Sequence, residues 1–282
     1  MDTIGHFKSI DHLTLFYRAW FPANPRAVII LIHGAGEHSG RYEYIGECCM
    51  DHNITLVAPD LRGFGQSEGH RGHINRFSDY LDDLKVLINT VSKRYPSIPV
   101  FLFGHSLGGL VAIRYGQTYP QQVKGFILSS PALGLRFPIP SAIKRTLNFI
   151  SRINPELTIQ PFKWAEILRK ARHLKPYLPE PGSDIVKDPF HTTQYTPRWL
   201  TELIQNGIHA TMEASKFQVP LLCLYDKEDP IIHPNSIKQF LDSVTIPEKD
   251  HVIFSEGHHH PWHAPHQQQA LDSMITWLNT RI

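Results

Sequence analysis

No stretch of the chain approaches the roughly 18 consecutive apolar residues of a membrane-spanning helix, and no secretory apolar core follows Met1. Cysteine is scarce. Cys48, Cys49 and Cys223 are an odd number, and the vicinal pair is poorly placed for a bridge. A disulfide-stapled secreted scaffold is therefore excluded, and the thiols read as buried, reduced groups of a cytoplasmic protein. An excess of one charge is also missing: 28 Lys and Arg against 26 Asp and Glu leave a formal +2. Nothing in that balance marks a nucleic-acid partner. There are no internal repeats, and the one low-complexity tract, Gln267-Gln268-Gln269, is too short to interpret.

What is present is ample apolar material, 41% of 282 residues, enough for one large domain or one domain with an insertion. The chain is organised around residues 98–118. Ile98-Pro99-Val100-Phe101-Leu102-Phe103 is a short β-rich apolar run, and Leu110-Val111-Ala112-Ile113-Arg114-Tyr115 reads as a helix. Between them stands Gly104-His105-Ser106-Leu107-Gly108-Gly109, a G-x-S-x-G motif in the strand–helix context of a nucleophile elbow. The glycines two residues either side of Ser106 leave room for so sharp a turn. The helix N-terminus behind it offers N–H groups to a developing negative charge.

Around this centre strands and helices alternate. Ala27-Val28-Ile29-Ile30-Leu31-Ile32 is a central strand, followed by a glycine-bearing loop in which Gly34, Gly36 and Gly40 let the backbone approach a ligand. Further strands are expected at His12 to Phe21, Ile54 to Ala58, Gly125 to Ser129, Val219 to Tyr225 and His251 to Phe254, and helices at 41–52, 77–94 and 271–278. This order predicts an α/β fold with a mostly parallel sheet covered on both faces. The alternation breaks at Pro131. The expected division is a core of residues 1–130 and 219–282 with a cap insertion, 131–218, over the C-terminal edge of the strands. Two amphipathic stretches lie in the insertion, one carrying Ile143, Leu147 and Ile150, the other Trp164, Ile167, Leu168, Ala171 and Leu174. The first, flanked by Lys144, Arg145 and Arg152, is expected to roof the site, and its basic flank allows peripheral contact with a membrane surface.

A serine needs a base, and the base needs an orienting acid. Here Ser106 is followed by aspartates at the end of one strand, Asp226 and Asp229, and by histidines after the next, His258, His259 and His260. That chain order is the one that accompanies G-x-S-x-G. Asp229, deeper in its loop and followed by Pro230, is the favoured acid; the residues by themselves do not choose among the three histidines. The same His triplet with His263 and His266 raises a metal reading. No carboxylate–histidine spacing of a hydrolytic zinc site such as H-E-x-x-H is present, so neither metal nor cofactor is expected.

The run Gly34-Ala35-Gly36-Glu37-His38-Ser39-Gly40-Arg41-Tyr42, preceded by His33, resembles the oxyanion-loop motif of the monoacylglycerol lipase and lysophospholipase family of α/β-hydrolases. Asp60 to Gly69 and Gly104 to Gly109 are similar to two more of the family's motifs, and Asp188-Pro189-Phe190 resembles its Asp-Pro-Leu element. The resemblance implies the α/β-hydrolase fold and a serine ester hydrolase acting on monoacylglycerols, lysophospholipids or similar single-chain lipid esters. It implies Ser106 as nucleophile, Asp229 as acid and His260, third after Gly257, as base. It also implies backbone N–H groups of Ala35 and Leu107 as the oxyanion hole. Leu107 replaces a methionine common in the family, a change the backbone interaction tolerates. The insertion matches the family poorly between Leu133 and Pro181. A short-chain carboxylesterase or cofactor-free perhydrolase on the same triad is the alternative enzyme. A non-catalytic binding protein of this fold usually lacks a triad member, and none is lacking here. Dehalogenases and epoxide hydrolases of the fold attack with aspartate, which Ser106 argues against.

Overall fold

A computed structural model describes residues 2–137, 139–159, 188–262 and 265–282. Eight strands, β1 (Thr3–Lys8), β2 (Thr14–Trp20), β3 (Ala27–Ile32), β4 (Ile54–Pro59), β5 (Val100–His105), β6 (Gly125–Ser129), β7 (Leu221–Asp226) and β8 (Lys249–Phe254), form one sheet. Their order is β1-β2-β4-β3-β5-β6-β7-β8. The first two strands run antiparallel to their neighbours, and the six from β4 to β8 are parallel. The strand order reverses direction at the β3–β5 boundary, so the loops leaving these two strands flank the crevice where open α/β sheets bind ligands.

Seven helices are described: α1 (Glu43–Asp51), α2 (Ser78–Arg94), α3 (Leu107–Thr118), α4 (Ser141–Ile153), α5 (Pro197–Met212), α6 (Pro234–Ser243) and α7 (Gln267–Asn279). A strand covered on both faces is apolar at every position, and β3 obeys this. Val28, Ile30 and Ile32 enter a core shared with Leu84, Leu110, Ala210 and Phe240 of α2, α3, α5 and α6. Ile29 and Leu31 enter the opposite core, with Ile45 of α1 and Met274 and Leu278 of α7. Truncating Ile29, Ile30, Leu31 or Ile32 to alanine costs about 2–5 kcal/mol, because so dense a layer collapses little into the gap.

The strand expected at His12 to Phe21 is present as β2. The strand β1 before it is not expected from the sequence: as an edge strand it exposes residues on both faces and carries no apolar alternation. The insertion between β6 and β7 contains α4 as expected, but also α5, and α6 follows β7. The amphipathic stretch from Trp164 to Leu174 lies outside the described residues. The apolar side of α4 is not turned wholly inward either. Ser151 is buried against the rest of the protein, while Ile143 and Phe149 remain 51% and 64% exposed.

Candidate active site

Ser106 sits between β5 and α3 with φ +51° and ψ −112°, a left-handed backbone that costs a non-glycine residue on the order of 1–3 kcal/mol. Three hydrogen bonds hold it there. Its N–H donates to Ser129 O across 2.9 Å, and its carbonyl accepts from the N–H groups of Ala132 and Leu110 at 3.0 and 3.1 Å. The flanking glycines are steric requirements: a Cβ on Gly104 would lie 2.3 Å from Gly108 O, and one on Gly108 only 2.0 Å from Ile32 O. Local strain is thus imposed by the packing of β3 against the start of α3.

The loop after β3 is fixed peptide by peptide. His33 is fully buried; its Nδ1 donates to Gly34 O at 2.7 Å, and its Nε2 accepts the Leu61 N–H at 2.9 Å. Burial keeps this imidazole below its usual pKa, against the raising pull of Asp60, so it stays neutral with the proton on Nδ1. Gly34 O and the Ala35 N–H belong to one planar trans peptide, so holding the carbonyl sets the direction of the amide. Glu37 completes the clamp: its Oε2 accepts from Gly34 N–H at 3.0 Å and from the Tyr42 hydroxyl. Burial alone would raise the Glu37 carboxyl, but the charge and hydrogen bond of His260, the charge of His105 and the Tyr42 bond override it and hold the group well below its usual range. Asp60, at the end of β4, accepts the Ser39 N–H at 2.6 Å and ties the far side of the loop down.

Of the two aspartates, Asp229 meets a histidine. Its Oδ1 accepts the Ile231 and Ile232 N–H groups at 2.7 and 2.9 Å, leaving Oδ2 to accept from a histidine Nδ1 at 2.7 Å. That histidine is His259. His260, which the resemblance puts in this place, instead donates from Nε2 to Glu37 Oε1 at 2.9 Å. The reason is the other aspartate. Asp226 Oδ2 accepts three successive N–H groups, those of Glu256, Gly257 and His258, at 3.0, 2.9 and 3.1 Å. With Gly257 at φ +79°, this clamp brings the second residue after the glycine, not the third, to Asp229. Asp226 therefore fixes the backbone path that leads to the histidines. Burial raises its carboxyl and the four backbone donors around it, Glu228 included, lower it further, for a net downward shift. His105, the residue before Ser106, joins the two halves of the site. Its ring lies 4.9 Å from that of His259 and 3.9 Å from that of His260.

The insertion straps the loop after β3 from outside. His38 Nε2 donates to Asp188 Oδ2 at 2.8 Å, and Thr192 N–H donates to Gly36 O at 2.8 Å. This gives the Asp188-Pro189-Phe190 element a structural task. Beside the site opens an apolar cavity of about 200 Å³, lined by Leu133, Ile139, Leu203, Ile204, Ile208 and Ile232 among others. Leu133 and Ile232 are one and three residues from groups that hold the site, Ala132 and Asp229. Of α4, only Lys144 reaches the described lining; Ile143, Leu147 and Ile150 do not. α5 supplies Leu203, Ile204 and Ile208 to the same lining. The sequence alone assigns no role of their own to His33, Glu37 and His105 and does not show the Asp226 clamp; a polar residue directly after central strand β3, or ending central strand β5, is the available signal for His33 and His105.

A serine on a strained strand–helix turn, at the switch point of a parallel sheet with helices on both faces, defines a serine hydrolase of the α/β-hydrolase fold. A family model described as "Serine aminopeptidase, S33" matches residues 23–265, and the chain belongs to that family. Among its relatives, mouse monoglyceride lipase is 32% identical over 82% of this chain and 84% of its own. Phospholipase YtpA of Bacillus subtilis is 28% identical over 89% of this chain and 94% of its own. The crystal structure of the Paleococcus ferrophilus monoacylglycerol lipase superposes with a TM-score of 0.80 at 26% identity, covering 95% of this chain and 99% of that one.

Proposed function

We propose that the protein hydrolyses single-chain lipid esters, monoacylglycerols and lysophospholipids, with Ser106 as nucleophile, His259 as base and Asp229 as the acid that orients it. Ser106 Oγ attacks the ester carbonyl while His259 Nε2 takes its proton. The carbonyl electrons move onto oxygen, and the N–H groups of Ala35 and Leu107 receive the oxyanion. Collapse of the intermediate expels the alcohol, which takes the proton from His259; water, activated by the same imidazole, then releases the fatty acid and restores Ser106. The observation that carries this reading is the Asp229–His259 pair beside the strained Ser106 turn. The apolar cavity supports the lipid class, since each buried CH₂ is worth about 0.8 kcal/mol. The names of the relatives point the same way.

Residues 131–218 act in this reading as a cap that meets the lipid surface. No helix among the described residues is long and apolar enough to cross a membrane. The exposed Ile143, Phe149 and Ile153 of α4, with Arg145 and Arg152 beside them, suit peripheral contact with an anionic interface. The test is labelling with a fluorophosphonate followed by hydrolysis of a panel of esters of rising acyl length. Label on Ser106, absent from Ser106→Ala, and kcat/KM rising with chain length support the assignment. A flat profile restricted to acetate and butyrate esters would favour a short-chain carboxylesterase.

A further inference from the structure

Glu37, His105 and His260 each offer one ligand atom, and these atoms lie within 4.8 Å of one another. We infer that they form an inhibitory zinc site next to the catalytic centre. Two imidazole nitrogens and one carboxylate oxygen are a donor set Zn²⁺ takes readily, with a fourth position left for water. Zinc–ligand bonds of about 2.0–2.2 Å place such atoms roughly 3.4 Å from each other, so on loading the Glu37–His260 pair, now 2.9 Å apart, opens and any wider pair closes.

The supporting groups are already in place. Ligating side chains are aimed by the bonds their other atoms make. The second oxygen of Glu37 is held by Gly34 N–H and Tyr42, which turns Oε1 to the cluster, and Oε1 is the atom that meets His260 Nε2 at 2.9 Å. His105 is anchored through Nδ1 to Ser129 Oγ at 3.0 Å, so its Nε2 serves the cluster. Glu37 and His105 are buried, whereas the His260 side chain is 28% exposed and gives the ion a way in. The two rings lie at 32° to one another, so it is His260 that turns to point its lone pair at the ion.

The inhibitory effect rests on the serine–histidine reading above. His259 becomes an imidazolium when it takes the Ser106 proton. A dication between His105 and His260, whose rings are 4.9 and 5.6 Å from that of His259, opposes that positive charge.

Metal-free enzyme is titrated with zinc in competition with a chromophoric chelator, and the rate of fluorophosphonate labelling is followed in parallel. The expected result is one zinc bound per chain and labelling slowed at least about 10-fold, both reversed by excess chelator. That equivalent should be lost in His260→Asn and in Glu37→Gln and kept in the His258→Asn/His266→Asn double variant; His260 is partly exposed, so its variant reads out even where Glu37→Gln fails to fold. Loss of zinc in the double variant with retention in His260→Asn overturns the site. Absence of stoichiometric binding does the same, and so does binding without slowed labelling. Failure of the metal-free wild type to label at all would instead refute the serine mechanism, while the zinc titration still reports on the cluster.

Discussion

His259 and Asp229 meet through one 2.7 Å hydrogen bond, Nδ1 to Oδ2, and the carboxylate that accepts it is wholly buried. Its other oxygen is committed to the Ile231 and Ile232 amides, so the imidazole has a single carboxylate lone-pair direction to answer. An imidazole held this way keeps Nε2 as its unprotonated nitrogen, the tautomer that a base towards serine requires.

The two aspartates after β7 should fail differently. Asp229→Asn should cost on the order of 10⁴ in kcat, the scale set by the same change in an unrelated serine protease, with a small change in thermal stability. Asp226→Asn should lower stability by about 2–3 kcal/mol, because an amide nitrogen would face backbone donors that a carboxylate now accepts. Its activity should fall with the loosened histidine loop. Melting curves and kcat measured on both variants separate the roles; a stable, inactive Asp226→Asn would reverse the assignment.

Much of this was legible in the residues themselves. Central strands such as β3 and β5 are apolar at every position because both faces are covered, and that signal needs no tertiary information. The Ser106 turn declares itself through glycines that the packing makes obligatory. Other features were not legible, for physical reasons. Which of three consecutive histidines faces Asp229 depends on the backbone path from Glu256 to His258, set by a carboxylate 30 or more residues earlier in the chain. The lining of the cavity depends on how α4 crosses α5, and helical periodicity gives a face without saying what it faces. An amphipathic stripe on α4 is therefore compatible both with roofing the site and with the largely exposed position it takes.

His33 should act on both rate and pH-dependence. Removing its bonds to Gly34 O and Leu61 N–H by His33→Phe should destabilise the fold by about 1–3 kcal/mol. It should also lower kcat roughly 10- to 100-fold with little change in KM, since the Ala35 amide loses its alignment; deleting a whole oxyanion donor typically costs about 10²–10³. Burial depresses the folded-state pKa of His33, so the unfolded chain binds the extra proton first as pH falls. The wild type should lose stability from about pH 6.5 downward until the folded pKa is reached, and His33→Phe should lack that component. Chemical denaturation at a series of pH values measures the difference; identical slopes would place the proton elsewhere.

Cavity volume should set acyl preference. Ile204 lines the cavity from α5 and is only partly buried, so Ile204→Trp can fill the space without crushing a packed core. Long-chain esters should lose at least about 10-fold in kcat/KM, the worth of some two buried CH₂ groups, while butyrate esters keep theirs. Equal losses on both substrates would mean that the acyl chain lies elsewhere.

The central claim is that the base is His259, and its most direct measurement is kcat/KM for a long-chain monoacylglycerol with His259→Ala and His260→Ala, each shown to be folded. His259→Ala should lose about 10⁴–10⁶, the scale seen when a triad member is removed. His260→Ala, which frees Glu37 Oε1 but leaves the Asp229 pair intact, should stay within about 10-fold of the wild type. An inactive His260→Ala beside an active His259→Ala would contradict the account.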